Sequence, residues 1–139
     1  MAKICSVGVL FIHDKKLLMC KSYSWNRGLY DLIKGKLETG ETPVDTILRE
    51  CWEEANILLD TKRLIDLGEH SYIKNKNLHL FRYDSIEVDN FDINNCKCNS
   101  YFEYEGKSVP EIVGYKLSDD FSLLYKSLQK VLEEIDFKI

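Results

Sequence analysis

The 139-residue chain has only two prolines and seven glycines, and no Gly-, Ser- or Pro-rich tract that would read as a linker. It shows no internal repeat and no low-complexity segment. Solenoid and fibrous architectures are therefore excluded, and one domain over residues 1–139 is expected. No apolar run reaches the ~18–20 residues that span a bilayer, so no membrane partner is expected. The opening Met-Ala-Lys-Ile-Cys lacks the pattern of a secretion signal. An excess of positive charge is also missing. Nineteen basic residues face 23 acidic ones, for a formal charge of −4. That balance argues against a non-specific nucleic-acid coat. It leaves room for a phosphate-bearing ligand, because a bound metal reverses the local sign.

Cysteine is present but unpaired in pattern. Cys5, Cys20, Cys51, Cys96 and Cys98 form an odd, irregularly spaced set. No disulfide framework is expected, and a reducing, cytoplasmic setting follows. Cys96-Lys97-Cys98 is too tight for C-x-x-C chemistry and has no second Cys/His pair beside it, so it does not read as a zinc site. His13, His70 and His79 share no metal spacing.

Hydrophobic residues make up 45% of the chain and charged residues 30%. At this length folding buries roughly two-thirds of the unfolded surface. Ile4 to Ile12 is nearly continuously apolar and reads as a buried strand, returned through His13-Asp14-Lys15-Lys16 by a second strand over Leu17 to Lys21. Thr42 to Ile57 reads as a helix. Thr42 caps it, Pro43 takes its first position, and Val44, Ile47, Leu48, Cys51 and Ala55 recur at helical spacing. Asn56 stands where a left-handed residue ends a helix. Leu64 to Tyr72 and Leu78 to Tyr83 read as strands, Asp84 to Ser100 as a surface excursion. Tyr101 to Tyr104 and Ile112 to Leu117 read as edge strands. A second helix is expected from Asp119 and Asp120, with Phe121, Leu124, Leu128, Val131, Leu132 and Ile135 on its apolar face. Strands, helix, strands, helix predicts an α/β fold, a mixed sheet covered on both faces.

The chemistry concentrates between Gly35 and Ile57. Glu50, Glu53 and Glu54 stand at i, i+3 and i+4, on one helix face opposite much of the apolar face. Like charges so close are unfavourable unless a cation sits among them, and hard divalent cations take carboxylate oxygens. Arg49 precedes the cluster at i, i+4 from Glu53, placed to hold that carboxylate through a forked hydrogen bond. Gly35 and Gly40 flank a loop in which a carbonyl can approach an ion. Glu-rich helix faces are usually solvated surface. The joint pattern of Gly, Glu, Arg-Glu and Glu-Glu, however, arises by chance on the order of once in 10⁵.

Gly35 to Ile57 resembles the signature box of the Nudix hydrolases. Gly35, Glu41, Arg49, Glu50, Glu53, Glu54 and Ile57 match it, Cys51 fills an apolar place, and Asn56 replaces the usual Gly. Tyr30-Asp31-Leu32-Ile33-Lys34-Gly35-Lys36 is similar to the family's approach to the box, with Ile33 where Pro is common. The resemblance implies a Nudix-type α/β/α sandwich and hydrolysis of a nucleoside diphosphate linked to another group, a small-molecule nucleotide. It implies Mg²⁺, with Mn²⁺ as a substitute, held by Glu50, Glu53, Glu54 and the Gly35 carbonyl. Arg49 would orient the glutamates and Glu41 would act structurally. The general base would be Glu50 or Glu53, or a later carboxylate, Glu111, Glu103 or Glu105.

For the substrate, Tyr72 lies 15 residues after Ile57, where members acting on diadenosine polyphosphates often carry Tyr. Lys34 and Lys36 suit a longer phosphate chain. Trp25, Tyr30 and Tyr72 are candidates to stack a base, against ordinary packing for each. A dinucleoside polyphosphate is thus the expected substrate. ADP-ribose, NADH, a nucleoside triphosphate and a capped RNA 5′ end are the alternatives, and a nucleotide-binding module without catalysis is the alternative of another class. The sequence sets no oligomeric state.

Overall fold

The nearly unbroken apolar run at the start becomes the central strand β1 (Ile4–His13). The computed structural model describes residues 4–24 and 26–139, and Trp25, a candidate above, lies outside them. Asp14 and Lys15 both take positive φ, 49° and 60°, which turns the chain tightly into β2 (Lys16–Ser22). After a loop come β3 (Ile33–Lys36), α1 (Pro43–Ala55), β4 (Ile65–Ile73) and β5 (Lys76–Asp84). The hairpin β6 (Tyr101–Tyr104) and β7 (Lys107–Pro110) follows, then β8 (Ile112–Ser118) and α2 (Lys126–Glu134).

Six strands form a mixed sheet in the order β4-β5-β1-β2-β8, with β3 also on β1. β5 runs parallel along β1 from Ile4 to Ile12. The other edge of β1 is shared. β3 pairs antiparallel at Ser6–Val9, and β2 pairs only at Ile12 and His13 before leaving to meet β8. The two partners therefore diverge, and the site lies by that split.

Alternation along β1 feeds two cores. Val7, Val9 and Phe11 join Ile47, Cys51 and Ala55 of α1. Leu10 and Ile12 join Leu128, Val131 and Leu132 of α2. The result is the expected α/β/α sandwich. Among the described residues no helix is long and apolar enough to cross a membrane.

Three segments differ from expectation. The second helix starts at Lys126, not at Asp119. Asp120 accepts from Ser122 N–H at 3.1 Å and caps a 3₁₀ turn over Phe121–Leu123 instead. Backbone bonds from Tyr30 N–H to the Leu123 carbonyl (2.8 Å) and from Tyr125 N–H to the Tyr30 carbonyl (3.2 Å) hold the next residues extended. Excursion 84–100 is not purely surface, because Phe91 packs on Phe11 (4.9 Å between ring centres) and on His13 (4.8 Å). Tyr101 to Tyr104 does not edge the main sheet. It pairs with β7 in a separate hairpin turned by Glu105 and Gly106, both at positive φ.

Candidate active site

α1 is fixed at both ends by its own sequence. Asp45 N–H donates to Thr42 Oγ1 (3.2 Å), and Thr42 N–H returns a bond to Asp45 Oδ2 (3.0 Å). Asn56 ends the helix at φ 59°, with Ile57 N–H donating to the Cys51 carbonyl at 3.1 Å.

With the helix so placed, its acidic residues meet β3. Lys34 N–H donates to Glu54 Oε1 at 3.0 Å. A Cβ on Gly35 would lie 2.0 Å from Glu50 Oε1, so only glycine admits this approach. Glu50 and Glu54 are 7% and 8% exposed, and Glu53 is half-buried. The cluster is thus wedged between helix and strand, not turned away from the apolar face as the helical spacing suggested.

Arg49 organises it. Its forked bond goes to Glu41, with Nε at 2.8 Å from Oε2 and Nη2 at 3.0 Å from Oε1. Nη1 donates singly to Glu50 Oε1 (2.8 Å) and to Glu53 Oε2 (3.2 Å). The expected fork to Glu53 is therefore replaced by one to Glu41. Glu41 also accepts from Thr46 Oγ1 and Glu38 N–H, which locks the loop to the helix. The hydrogen bonds from Arg49 hold Glu41 down at about 2. Burial, with added repulsion from Glu53 and Glu111, pushes Glu50 up to about 7 against the pull of Arg49. Glu54 is raised for the same first reason, burial, and further by Glu50.

A cleft of about 270 Å³ opens beside these carboxylates, lined among others by Asp31, Lys34, Glu54, Phe102 and Glu111. The Lys34 ammonium stands 3.2 Å from Asp31 and over the Tyr72 ring at 5.8 Å. Burial is the largest single influence and opposes its charge, but Asp31, Tyr72 and Glu54 together outweigh it and leave the lysine pKa raised. Tyr115 O–H donates to the Glu54 carbonyl, and Asn99 N–H donates to the Glu53 carbonyl at 2.6 Å.

The NUDIX domain family matches residues 3–101, most of the chain. The chain belongs to the Nudix family. A 17.7 kDa protein of Enterobacteria phage T4, from the e-segB intergenic region, is 36% identical over 124 residues, covering 83% of this chain and 82% of its own. The fold matches the NUDIX domain of Shewanella oneidensis NrtR, solved with ADP ribose, at a TM-score of 0.66 and 16% identity. That match covers 98% of this chain and 88% of that one. It also matches a Francisella tularensis bifunctional NMN adenylyltransferase/ADP ribose pyrophosphatase, solved with AMP and a manganese ion. There the TM-score is 0.59 at 17% identity, over 95% of this chain and 41% of the other. As a Nudix hydrolase the chain is a pyrophosphohydrolase, and the family works with divalent metal ions.

The donor set of this Nudix chain fits such an ion. Glu53, Glu54 and Glu111 each stand close enough to Glu50 to repel it, all four carry hard oxygen atoms, and side-chain-free Gly35 gives room beside Glu50. Among the described residues no three Asp, Glu, His or Cys side chains are grouped so as to hold a metal ion as they stand; Arg49 takes one oxygen of Glu50 and one of Glu53.

The fold brings Gly35, Arg49, Glu50, Glu53, Glu54, Glu111 and Lys34 to one place. It does not bring in the Lys36 side chain, which is exposed while its carbonyl accepts from Arg49 at 3.3 Å. Tyr72 touches Lys34 but packs with the α2-side core, outside the residues lining the cleft. Tyr30 packs there too. Asp31, Phe102 and Asn99 escaped sequence reading. Asp31 had a weak signal in the segment leading to the box. Phe102 and Asn99 had none, because the contacts that tie them to the site, Phe102 to Tyr23 and Asn99 to Trp52, Glu53 and Asn56, cross more than 40 residues.

Proposed function

We propose that this Nudix hydrolase cleaves a phosphoanhydride bond of a dinucleoside polyphosphate or a closely related nucleotide, with Mg²⁺ as its metal and Mn²⁺ able to replace it. The observation that carries the reading is the packing of Glu50 and Glu54 against Gly35 and Lys34 of β3, with Glu53 drawn to the same arginine. Glu50, Glu53, Glu54 and the Gly35 carbonyl are the metal-holding groups. The bound ion would neutralise the diphosphate and lower the pKa of a water molecule. Arg49 orients Glu50 and Glu53, and Glu41 orients Arg49. Glu111 is the general base of this reading, since it lines the cleft beside Glu54, whereas Glu103 and Glu105 are exposed on the hairpin. Lys34 lines the cleft with the Tyr72 ring beneath it, which supports a cationic approach for a phosphate chain, and Lys36, exposed two residues on along β3, is left as the outer cation of this reading.

The test is hydrolysis of diadenosine tetraphosphate, ADP-ribose, nucleoside triphosphates and capped RNA, with Mg²⁺, with Mn²⁺ and in EDTA. Diadenosine tetraphosphate should turn over fastest and nothing should react in EDTA. Glu53→Gln should cut turnover by about a hundredfold or more in a folded protein. Preference for ADP-ribose would overturn the substrate assignment, and undiminished rates in EDTA would overturn the metal.

A further inference from the structure

Three aromatic rings gather at the rim of the carboxylate cleft from two distant segments. Phe102 and Tyr104 stand two residues apart on β6 and so share one face of the hairpin. Tyr23, from the end of β2, meets both edge-on, at 5.9 Å from Phe102 and 5.5 Å from Tyr104 between ring centres. None of the three belongs to either apolar core. Tyr23 and Tyr104 are 38% and 45% exposed, so core packing does not account for the cluster. Its connection to the site is direct. Phe102 lines the same cleft as Glu54 and Glu111, and Tyr23 N–H donates to the Glu111 carbonyl at 2.8 Å.

We propose that Phe102, flanked by Tyr23 and Tyr104, is the stacking platform for a nucleobase whose attached phosphates face the Glu50–Glu54 carboxylates. The inference rests on the hydrolase reading above and names the base-binding element of that site. The occupant follows from the chemistry. The rings offer π surface and almost no charge, while the adjoining floor is acidic. A ligand that bridges the two must be flat and uncharged at one end and metal-bound and phosphorylated at the other. Nucleotides have that shape, and every base presents a π face. Phe102 thus replaces Tyr30 and Tyr72, whose rings pack on the α2 side, as the base contact.

The test uses AMP and ribose 5-phosphate, which differ only by the base and contain no phosphoanhydride bond to cleave. Binding to the full chain is measured by calorimetry with Mn²⁺ present. Phe102→Ala should weaken AMP binding by about tenfold or more. Phe102→Trp should keep it, Tyr101→Ala on the opposite hairpin face should leave it unchanged, and ribose 5-phosphate should bind all forms alike. If Phe102→Ala unfolds the hairpin, Phe102→Leu keeps the apolar volume and should still lose AMP. The proposal falls if AMP binding is absent from the wild type or survives Phe102→Ala, or if AMP and ribose 5-phosphate weaken together. A wild type that binds AMP through Phe102 yet cleaves no pyrophosphate would overturn the hydrolase reading alone. An active enzyme whose Phe102→Ala form binds AMP normally would overturn the platform alone.

Discussion

One wall of the cleft is a 13-residue helix fastened to an adjoining strand; the other is a hairpin of two four-residue strands. The helix wall is held by a reciprocal cap, a five-bond arginine hub and a buried apolar stripe. The hairpin wall is tied by its turn, by Glu111 N–H to the Ser100 carbonyl (3.0 Å), by Tyr23 and by edge-on rings. Buried like charges must be held against their own repulsion, which demands the first kind of wall. A surface that meets a ligand through ring faces needs only a local scaffold. The contrast matches the proposed division, ion holding by the first wall and substrate contact by the second.

The most severe way to break this division is Glu111→Gln. On the proposed role kcat falls by about a hundredfold, while Mn²⁺ affinity measured by calorimetry stays that of the wild type. Loss of metal affinity in that variant would put Glu111 on the first wall's side of the comparison.

A smaller effect concerns acid stability of the helix wall without metal. Glu50 sits at about 7 in the fold against an ordinary 4.5, because burial disfavours its charge. Below 4.5 both folded and unfolded chains carry the proton, and its contribution is complete. As pH rises from 4.5 to 7 the unfolded chain releases the proton first, so stability falls. Urea unfolding in EDTA should lose about 2 kcal/mol over that interval, solvent screening having removed part of the full shift. Glu54 acts with the same sign. Glu50→Gln should flatten the decline, and a stability rising with pH across the window would contradict it.

The mildest test addresses the seam between the walls. Asn56 sits at φ 59° and its Oδ1 accepts from Asn99 Nδ2 at 3.0 Å. Asn56→Gly relieves the left-handed backbone but removes that bond. The two effects nearly cancel, and thermal unfolding should change by less than about 1 kcal/mol with turnover unchanged. A large loss would mean that Asn99 holds the hairpin segment to the helix through this one contact.

Residues 35–57 were the most legible part of the chain. A helix repeats every 3.6 residues, so Thr42, Pro43 and Asn56 announce its ends and Glu50, Glu53 and Glu54 their shared face. The central strand was equally plain, since β1 is buried on both faces and reads as one apolar run. The second helix was placed too early because Phe121 and Leu124 have helical spacing relative to Leu128 yet reach the same core from a 3₁₀ turn and an extended residue. Lys107 to Pro110 was invisible as a strand, because its partner is a local hairpin and its pattern carries no buried alternation.

By itself the sequence determined the local architecture: where the helix begins and ends, which carboxylates ride on it, and which family it belongs to. Those are set by interactions within a few residues, where backbone geometry leaves little choice. Only the tertiary structure decided that Glu50 and Glu54 turn inward against Gly35, that Arg49 grips Glu41 with its fork, and that Phe102 rather than Tyr72 borders the cleft. Each of these depends on elements brought together across the sheet split, where the partner is chosen by packing and not by position along the chain.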